Sequence, residues 1–508
     1  MVFAISITII VLFVMWGMIA PEHLAAVTDT LFGFSIDTFG WFYLMATFGF
    51  LLFALYLAFS RFGKIKLGRD EDKPEYSTLT WFAMLFSAGM GIGLVFWGVG
   101  EPLSHYTAPP EGAAPASTEA GRLALRYSFF HWGLHPWAIY TIIALALAYF
   151  QFRKGYKGLI SAAFVPLLGD KAHGPIGKLI DVLAIIATAF GVATSLGFGT
   201  VQISGGLNYV FGTTNTVAFQ IGIVCVLTVL YLVSATSGLD KGIKILSNTN
   251  LTLAFLLMLF VLLVGPTSFI LDTLTTTLGG YLQNITQMSL RLAPLSDSEW
   301  IGSWTLFYWA WWIAWAPFVG TFIARVSKGR TVREFIFGVL LVPSALSFVW
   351  FSVFGGTALK FELFDKFPVA DAVKNDVTTS LFITLGHLPL GTIISVLALL
   401  LIITFFVTSA DSATFVLGML SSDGALNPTA RMKITWGVMQ SLIAVVLLMS
   451  GGLQGLQTAS IIAALPFAVI MVLMCVSLLK AFGAEDKQRR KIERERQKKL
   501  QSLLESHT

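Results

Sequence analysis

The stretch that decides the fold reads WTLFYWAWWIAWAPFVGTFIARVSKGRTVRE and occupies residues 304–334. It is apolar enough to enter a bilayer and ends in a cluster of basic side chains, as a membrane-spanning helix does at a cytoplasmic surface. Trp309, Trp311, Trp312 and Trp315 fall within two helical turns, well before that basic end. One interpretation is an aromatic belt at the outer interface. The other is a set of ring faces that line a cavity and hold a cation, as aromatic cages hold quaternary ammonium groups.

The composition is that of a membrane protein. The chain has 508 residues, of which 56% are hydrophobic and only 12% are charged, whereas soluble domains carry about 25% charged residues. Its apolar runs are long and do not alternate, which favours helices over a transmembrane barrel. The net charge of +5 does not indicate nucleic-acid binding, because the basic residues lie between apolar runs and at the C-terminus. Cys225 and Cys475 lie inside apolar runs and suggest neither a disulfide framework nor a metal site.

About twelve apolar runs are long enough to cross a bilayer as helices. They occupy residues 2–20, 38–60, 79–100, 123–150, 179–203, 217–233, 251–264, 301–324, 335–356, 390–418, 434–449 and 459–479. The loops after the second, fourth, sixth, eighth and tenth runs are rich in Lys and Arg, so these loops and both termini are expected in the cytoplasm. The first run has no basic leader or clear cleavage site, and we interpret it as a retained span. The expected fold class is therefore an all-α polytopic membrane protein.

Two segments fall outside this pattern. Residues 271–300 are mildly apolar and interrupted by polar residues, which predicts an amphipathic helix on the outer face. The tail, residues 484–508, is dense in charge of both signs and predicts a solvated helix. It is either a plain cytoplasmic extension or an electrostatic sensor that docks on anionic lipid or cytoplasmic loops, since each Lys or Arg near such a surface contributes about 1 kcal/mol.

The third run contains SAGMGIGLVFWGVGEP, residues 87–102, in which Gly89, Gly91 and Gly93 alternate. Each glycine costs a helix about 1 kcal/mol relative to alanine. Small residues can serve close helix packing, but a spacing of two does not place them on one packing face. We therefore expect an unwound segment, which a membrane tolerates only around a cavity and which offers N–H groups to an anion and carbonyls to a small cation.

The tenth run places polar groups at membrane depth in FFVTSADSATFVLG, residues 405–418. A lone hydroxyl here would often bond back to its own helix, but Thr408 and Ser409 are adjacent and an acid follows. Hydroxyl and carbonyl oxygens suit a hard cation such as sodium. Asp411 could be a ligand, a proton carrier or a structural partner. The structural role is favoured because Asp411 lies beyond the hydroxyl pair, toward the cytoplasmic end.

The fourth run adds aromatic surface and two histidines in FFHWGLHPWAIY, residues 129–140. Trp137 and Tyr140 share a helix face. His131 and His135 have the i, i+4 spacing that suits a metal, but without an evident third ligand we interpret them as structural. The fifth run contributes further candidate oxygens at Thr188, Thr194 and Ser195.

Together these motifs resemble the betaine/choline/carnitine transporter family. The most specific parts are AGMGIG, HWGLHPWAIY, FYWAWWIAWAPFVGTFIARVSKGRTVREFI and FVTSADSAT, and the resemblance covers nearly the whole chain. Within the family the chain looks like the bacterial sodium-coupled glycine betaine importers. The resemblance implies a homotrimer and the fold of sodium-coupled amino-acid symporters, with two extra helices before two inverted five-helix repeats. The implied division is two N-terminal helices and a loop (1–78), first repeat (79–270), connecting segment (271–300), second repeat (301–483) and regulatory tail (484–508).

The resemblance also implies a substrate site. An aromatic box around a trimethylammonium group would be formed by Trp132, Trp137, Tyr140 and Trp312, with Trp315 on the path toward the cytoplasm. The N–H groups of the glycine-rich segment would receive a carboxylate at Gly89, Met90 and Gly91. Carriers of choline, which has no carboxylate, benefit from an acid near this segment. Gly93 stands where such an acid could be, so a zwitterion is favoured.

Sodium sites are implied in the same way. One ion would be held by the carbonyls of Ser87, Met90 and Phe405 and the hydroxyls of Thr408 and Ser409. The hydroxyl pair favours sodium coupling, because sodium-independent exchangers of the family lose it. A second ion would use Thr188 and the ring of Phe318, although Val192 stands where the family has another hydroxyl.

The expected function is a secondary active transporter in a bacterial cell membrane. It would import glycine betaine, or a related trimethylammonium zwitterion, by sodium symport for osmoprotection. No cofactor other than the coupling sodium is expected. An enzyme is not expected either, because no run presents a nucleophile with a base and an orienting group. Two alternatives stay open: a proton-driven or exchange carrier for choline or carnitine that uses Asp411 or the histidines, and an osmosensor or channel without coupled transport.

Overall fold

The computed structural model describes residues 1–89, 91–237, 240–295, 299–425 and 427–505 of the chain. Its regular structure is helical, as the long apolar runs predict. Within these described ranges the extended pairing is one isolated antiparallel bridge between Lys66 and Thr331. Helices satisfy their backbone hydrogen bonds internally, which the interior of a bilayer requires.

The helices are numbered here in chain order. The first nine are α1 (Val2–Ile19), α2 (Pro21–Phe59), α3 (Thr78–Gly89), α4 (Ile92–Thr107), α5 (Thr118–Trp132), α6 (Leu134–Ala148), α7 (Val165–Leu168), α8 (Pro175–Phe211) and α9 (Val217–Thr236). The others are α10 (Asp240–Val264), α11 (Thr267–Ser289), α12 (Phe307–Val326), α13 (Val332–Lys360), α14 (Val369–Asn375), α15 (Ser380–Gly386), α16 (Gly391–Ser421) and α17 (Ala430–Glu505). Short π-helical segments adjoin α6, α12 and α13 at Tyr149–Arg153, Gly302–Leu306 and Phe361–Asp365.

The described helices account for all the expected spans. Ten helical stretches of the described residues are long and apolar enough to cross a membrane, and one of them, Thr118–Arg153, joins α5, α6 and the π-helical segment that follows. The third expected span is divided between α3 and α4, so neither part is long enough alone. The last two expected spans both lie on α17, where Gly452 interrupts the helical backbone with a φ of 55°. Glycine adopts a positive φ at little steric cost, so the kink between the two expected crossings is at Gly452.

Burial distinguishes central helices from peripheral ones. Every residue of α6 from 135 to 148 is buried, and α12 is buried along most of its length. By contrast, α9 exposes Val226, Val229 and Val233, as a helix that faces lipid does. The tryptophan-rich α12 packs against α6, α8 and α17, while α4 packs against α5 and α13. The aromatic cluster therefore lies inside the helical bundle.

The expected amphipathic segment, residues 271–300, falls largely on α11. This helix buries Ile270 and Tyr281 and exposes Leu271 and Leu282. The helix therefore has a buried side and an exposed apolar side. Its position on the outer face of the membrane stays a prediction.

The charged tail continues the last helix and is fixed near its root by Glu485. Its carboxylate accepts hydrogen bonds from Tyr149 at 2.7 Å and from Arg153 and Lys154 at 2.8 Å. Burial alone would raise the pKa of Glu485, but these hydrogen bonds and the two positive charges outweigh it and hold the pKa below its ordinary value. The tail beyond is exposed and carries ion pairs one helical turn apart.

Candidate functional site

The third apolar run is broken at its glycine-rich segment. α3 ends at Gly89, α4 begins at Ile92, and Gly91 between them is extended, with φ −153° and ψ −170°. Met90 lies outside the described residues. Gly91, which precedes α4, has no side chain that could cap the helix, and a Cβ added at Gly91 would meet nothing within 4 Å. The first N–H groups of α4 have no partner within their own helix, and the positive end of its dipole lies there.

Gly93 is the point where the broken helix meets the aromatic rings. A Cβ added at Gly93 would lie 2.5 Å from the ring of Trp311 and 3.1 Å from the ring of Trp132. Both distances are shorter than an ordinary van der Waals contact, so a side chain at this position would displace the rings. Glycine therefore permits the tryptophans to approach the backbone of α4 closely.

The four residues assigned to the aromatic box lie together. Trp312 is in edge-on contact with Trp132 at 4.9 Å and with Tyr140 at 5.6 Å between ring centroids. Tyr140 is in turn edge-on to Trp137 at 5.5 Å. The interplanar angles of 89°, 83° and 80° mean that neighbouring rings stand as walls at right angles and do not stack. The fold thus brings α5, α6 and α12 together at one aromatic cluster.

Two rings of the box are held by their indole N–H groups. Trp312 donates to the backbone carbonyl of His131 at 3.0 Å. Trp132 donates to the carboxylate of Glu101 at 2.7 Å. Glu101 was not among the site residues predicted from the sequence. The signal was its position at the end of the third apolar run, since an ionisable residue at membrane depth points to a functional site.

The two histidines of α5 and α6 face different partners. His131 contacts Glu101 at 2.7 Å and Thr305 at 3.0 Å. His135 contacts the hydroxyl of Ser289 at 2.7 Å. The pair therefore does not converge on one point, which agrees with the structural interpretation.

A different set of side chains has the spacing of a metal site. Ligand atoms of Glu101, His105 and His131 lie within 4.8 Å of one another. However, Glu101 is 3.1 Å from His105 and 2.7 Å from His131, which are hydrogen-bond distances. Atoms joined directly by hydrogen bonds leave no space for an ion between them. We therefore describe this set as a hydrogen-bonded cluster.

Trp315 and Phe318 lie one turn or more beyond the box on α12. Trp315 donates to the carbonyl of Gly191 at 2.6 Å, and its ring is edge-on to Phe318 at 5.1 Å. Both side chains are partly exposed, whereas the four rings of the box are buried. Access to the box from this end of α12 is therefore more open than through the buried cluster around Glu101.

The predicted first sodium site stays a prediction, because the hydroxyl of Thr408 bonds to carbonyls of its own helix, at Thr404 (3.0 Å) and Phe405. The hydroxyl of Thr408 lies 3.2 Å from the carbonyl of Phe405, and Ser409 beside it is half-buried. Ser87 is half-buried near the end of α3. Asn250 was not expected here: its amide donates to Thr408 at 3.3 Å, and its side-chain oxygen is buried without a hydrogen-bond partner among the described residues. Its contact depends on how α10 packs against α16, which the local sequence does not reveal.

The residues of the predicted second sodium site have other partners. The hydroxyl of Thr188 bonds to the carbonyl of Ala184 in its own helix at 2.7 Å, as isolated hydroxyls in spans commonly do. Thr194 bonds to Ser460 at 2.7 Å, and Ser195 accepts from Trp311 at 3.2 Å. These contacts link α8 to α17 and α12. The second site stays a prediction.

Asp411 lies in a hydrogen bond between helices. Its carboxylate accepts from the hydroxyl of Ser234 on α9 at 2.7 Å and is buried. This contact agrees with the structural role that the sequence analysis favours. One partner of Asp411 is thus the hydroxyl of Ser234.

The bundle and its centre define a class of protein: a polytopic membrane protein with a broken helix beside a buried aromatic cluster. The chain belongs to the betaine/carnitine/choline family of transporters, whose family model, described as "BCCT, betaine/carnitine/choline family transporter", matches residues 1–487. It is therefore a multi-pass membrane transporter and not an enzyme.

Curated relatives support the assignment over almost their full length. The chain is 55% identical to the glycine betaine transporter OpuD of Bacillus subtilis (strain 168), over 97% of this chain and 96% of the relative. It is 49% identical to a probable glycine betaine transporter of Desulfitobacterium hafniense (strain Y51), over 95% of this chain and 97% of the relative. It is also 49% identical to an ectoine/hydroxyectoine transporter of Virgibacillus pantothenticus, over 96% and 97% of the two chains.

Proposed function

We propose that this protein imports glycine betaine, or a related trimethylammonium zwitterion, by sodium symport, and thereby protects the cell against osmotic stress. The observation that carries this proposal is the buried box of Trp132, Trp137, Tyr140 and Trp312. A trimethylammonium group has no N–H to donate, so ring faces are the groups that can hold it. Each desolvated cation–π contact contributes up to about 2 kcal/mol.

The break between α3 and α4 supports a zwitterion over a simple cation. Glycine betaine carries a carboxylate one carbon from its nitrogen. The uncapped start of α4 lies beside the box, because Gly93 on this helix approaches Trp132 and Trp311. Backbone N–H groups at a helix start bind anions well, so one end of the solute would meet the rings and the other would meet Gly89–Gly91.

The proposal of sodium coupling rests on candidate ligand oxygens on α16 and at the end of α3. Phe405 and Thr408 already present a carbonyl and a hydroxyl 3.2 Å apart, and Ser409 and Ser87 are the further candidate ligands. An ion shared by α16 and the end of α3 would favour the arrangement that also binds substrate. By linkage, only such a differential effect lets the sodium gradient drive uptake.

Ectoine is a second candidate substrate, favoured by the 49% identity to an ectoine/hydroxyectoine transporter. Ectoine is also a zwitterion, but its positive charge is delocalised over a cyclic amidinium group, which has N–H donors. A proton-driven or exchange carrier for choline or carnitine is the remaining alternative. The proposal also includes a bacterial cell membrane with both termini in the cytoplasm, a homotrimer, and a tail that lies near anionic lipid.

The test is uptake of radiolabelled glycine betaine by the purified full-length protein in liposomes. We expect concentrative, saturable uptake with an inward sodium gradient and none when potassium replaces sodium. Unlabelled choline, carnitine, proline and ectoine, each added with and without sodium, rank the substrates. Uptake that is unchanged in potassium would refute sodium symport, and uptake that never exceeds the outside concentration would indicate a channel. Stronger competition by ectoine than by glycine betaine would replace the proposed substrate.

A further inference from the structure

Glu101 on α4 is the centre of a buried polar cluster behind the aromatic box. Its side chain is 0% exposed. One carboxylate oxygen lies 2.7 Å from Nδ1 of His131 and 3.1 Å from Nε2 of His105. The other accepts from the indole of Trp132 at 2.7 Å and from the hydroxyl of Tyr308 at 2.5 Å. Four donors thus converge on one acid, as suits an ionised carboxylate.

Each of the two histidines can donate one ring N–H to Glu101. His131 donates from Nδ1 to Glu101, and its Nε2 can accept from the hydroxyl of Thr305 at 3.0 Å. Nδ1 of His105 is buried without a hydrogen-bond partner in the described part of the chain. A bare acceptor nitrogen is tolerated more easily than a buried, charged N–H with nothing to bond. These contacts are therefore satisfied by one ring N–H on each histidine, and they add to the donors that suit an ionised Glu101.

No basic side chain of the described residues forms an ion pair with this carboxylate, since its ion-pair contacts are the two histidines. The charge lies at the edge of the Trp132 ring, and that ring forms one wall of the aromatic box. An indole that donates its N–H to a carboxylate becomes more electron-rich on its face, which strengthens attraction to a cation. The low dielectric of the buried site strengthens the direct attraction as well.

We propose that Glu101 is a specificity-determining residue that acts through Trp132, and that it makes the box select a charged quaternary nitrogen over an uncharged group of the same shape. The inference rests on the proposed function, because it assumes that the solute's cation enters the box. Tyr308 supports Glu101 from the other side: its ring stacks on His131 at 4.6 Å and is edge-on to Trp132 at 5.7 Å. Glu101 is thus a positioning residue that need not touch the solute.

The test compares glycine betaine with its carbon isostere, 3,3-dimethylbutanoate, in which a tert-butyl group replaces the trimethylammonium group. Both carry the same carboxylate and nearly the same shape. Affinities of the full-length protein for each are measured by tryptophan fluorescence and by competition against labelled glycine betaine. In Glu101→Gln we expect the ratio of the two affinities to fall at least tenfold, mainly through weaker binding of glycine betaine.

Asp181→Asn is the matched control. Asp181 is also a buried acid, and its carboxylate accepts from the backbone and hydroxyl of Ser161 at 2.9 and 2.8 Å. Removing its charge should leave the affinity ratio within twofold of the wild type. If the affinity ratio is unchanged in Glu101→Gln, the proposal is overturned. Equal weakening of both ligands would then mean that Glu101 is only a scaffold for Trp132.

Two further arms keep the test decisive. Should Glu101→Gln aggregate on size-exclusion chromatography, Glu101→Asp replaces it, because shortening the side chain withdraws the carboxylate from the indole. The ratio should then fall two- to fivefold, and an unchanged ratio overturns the proposal. Should the wild type transport choline and not glycine betaine, the proposed substrate fails, and 3,3-dimethylbutanol as choline's isostere still decides the role of Glu101.

Discussion

Replacing Trp312 by alanine removes the ring that joins the two sides of the aromatic box, since Trp312 contacts both Trp132 and Tyr140. The ring is only 8% exposed, so a cation against it is largely desolvated, and its loss should cost roughly 2 kcal/mol. At about 1.36 kcal/mol per factor of ten, the KM for glycine betaine should rise about 30-fold. Trp312→Phe keeps a weaker ring face and loses the hydrogen bond to His131. We expect it to cost about 1 kcal/mol of binding free energy, or roughly a fivefold rise in KM.

The assay is the initial rate of labelled uptake into liposomes that contain equal amounts of full-length variant. Trp41→Ala is the control, because Trp41 is 51% exposed on α2 and donates to Thr38 within its own helix. Its KM should stay within twofold of the wild type. A Trp312→Ala protein with normal KM and a reduced maximal rate alone would show that the ring does not contact the solute, and the box would have to be abandoned.

Three other changes test the helix break, the ion site and the tail root. Gly93→Ala places a Cβ 2.5 Å from the Trp311 ring, so the KM for glycine betaine should rise at least tenfold. Gly222→Ala is the control, since a Cβ there meets nothing within 4 Å, and its KM should be unchanged. Equal KM values for the two variants would contradict the close approach at Gly93. Thr408→Ala removes a hydroxyl that we propose as a sodium ligand. It should raise the sodium concentration for half-maximal uptake about tenfold, with Thr408→Ser close to wild type. A sodium curve that does not move excludes Thr408 as a ligand. Glu485→Gln should speed trypsin cleavage of the tail severalfold, while Glu493→Gln, which loses only an exposed pair, should not. Because the pKa of Glu485 is lowered, its stabilisation is present above the ordinary carboxyl pKa and is lost as the pH falls through the lowered value. Protection of the tail amides, taken relative to the intrinsic exchange rate at each pH, that does not fall in acid would contradict this account.

The parts of the fold that follow from local chemistry were predictable from sequence. Long apolar runs give helices because a bilayer leaves the backbone no other partner. Gly89 and Gly91 mark the break because glycine is the residue that a helix tolerates least after proline. The Trp-rich run predicts a buried aromatic site, since it places four large rings where a lipid-facing helix would have aliphatic side chains.

The contacts that depend on packing between distant helices were not predictable. Glu101 is 31 residues from Trp132 in sequence, and nothing near either residue indicates that they meet. Asn250 reaches Thr408 across 158 residues for the same reason. The last two expected spans lie within the bounds of α17. The positive φ of Gly452 marks the kink between them.

Because α17 continues from the last span into the tail, a tilt of the span moves the end of the tail. Between the middle of the last span, near residue 469, and Glu505 there are 36 residues, which at 1.5 Å per residue measure roughly 54 Å. A tilt of the span by about 5° would sweep the tip through roughly 5 Å, far more than the span itself moves. A small tilt of the span therefore becomes a larger displacement at the end of the helix. Contacts of the tail with ions and lipids can stabilise or destabilise the tilted state.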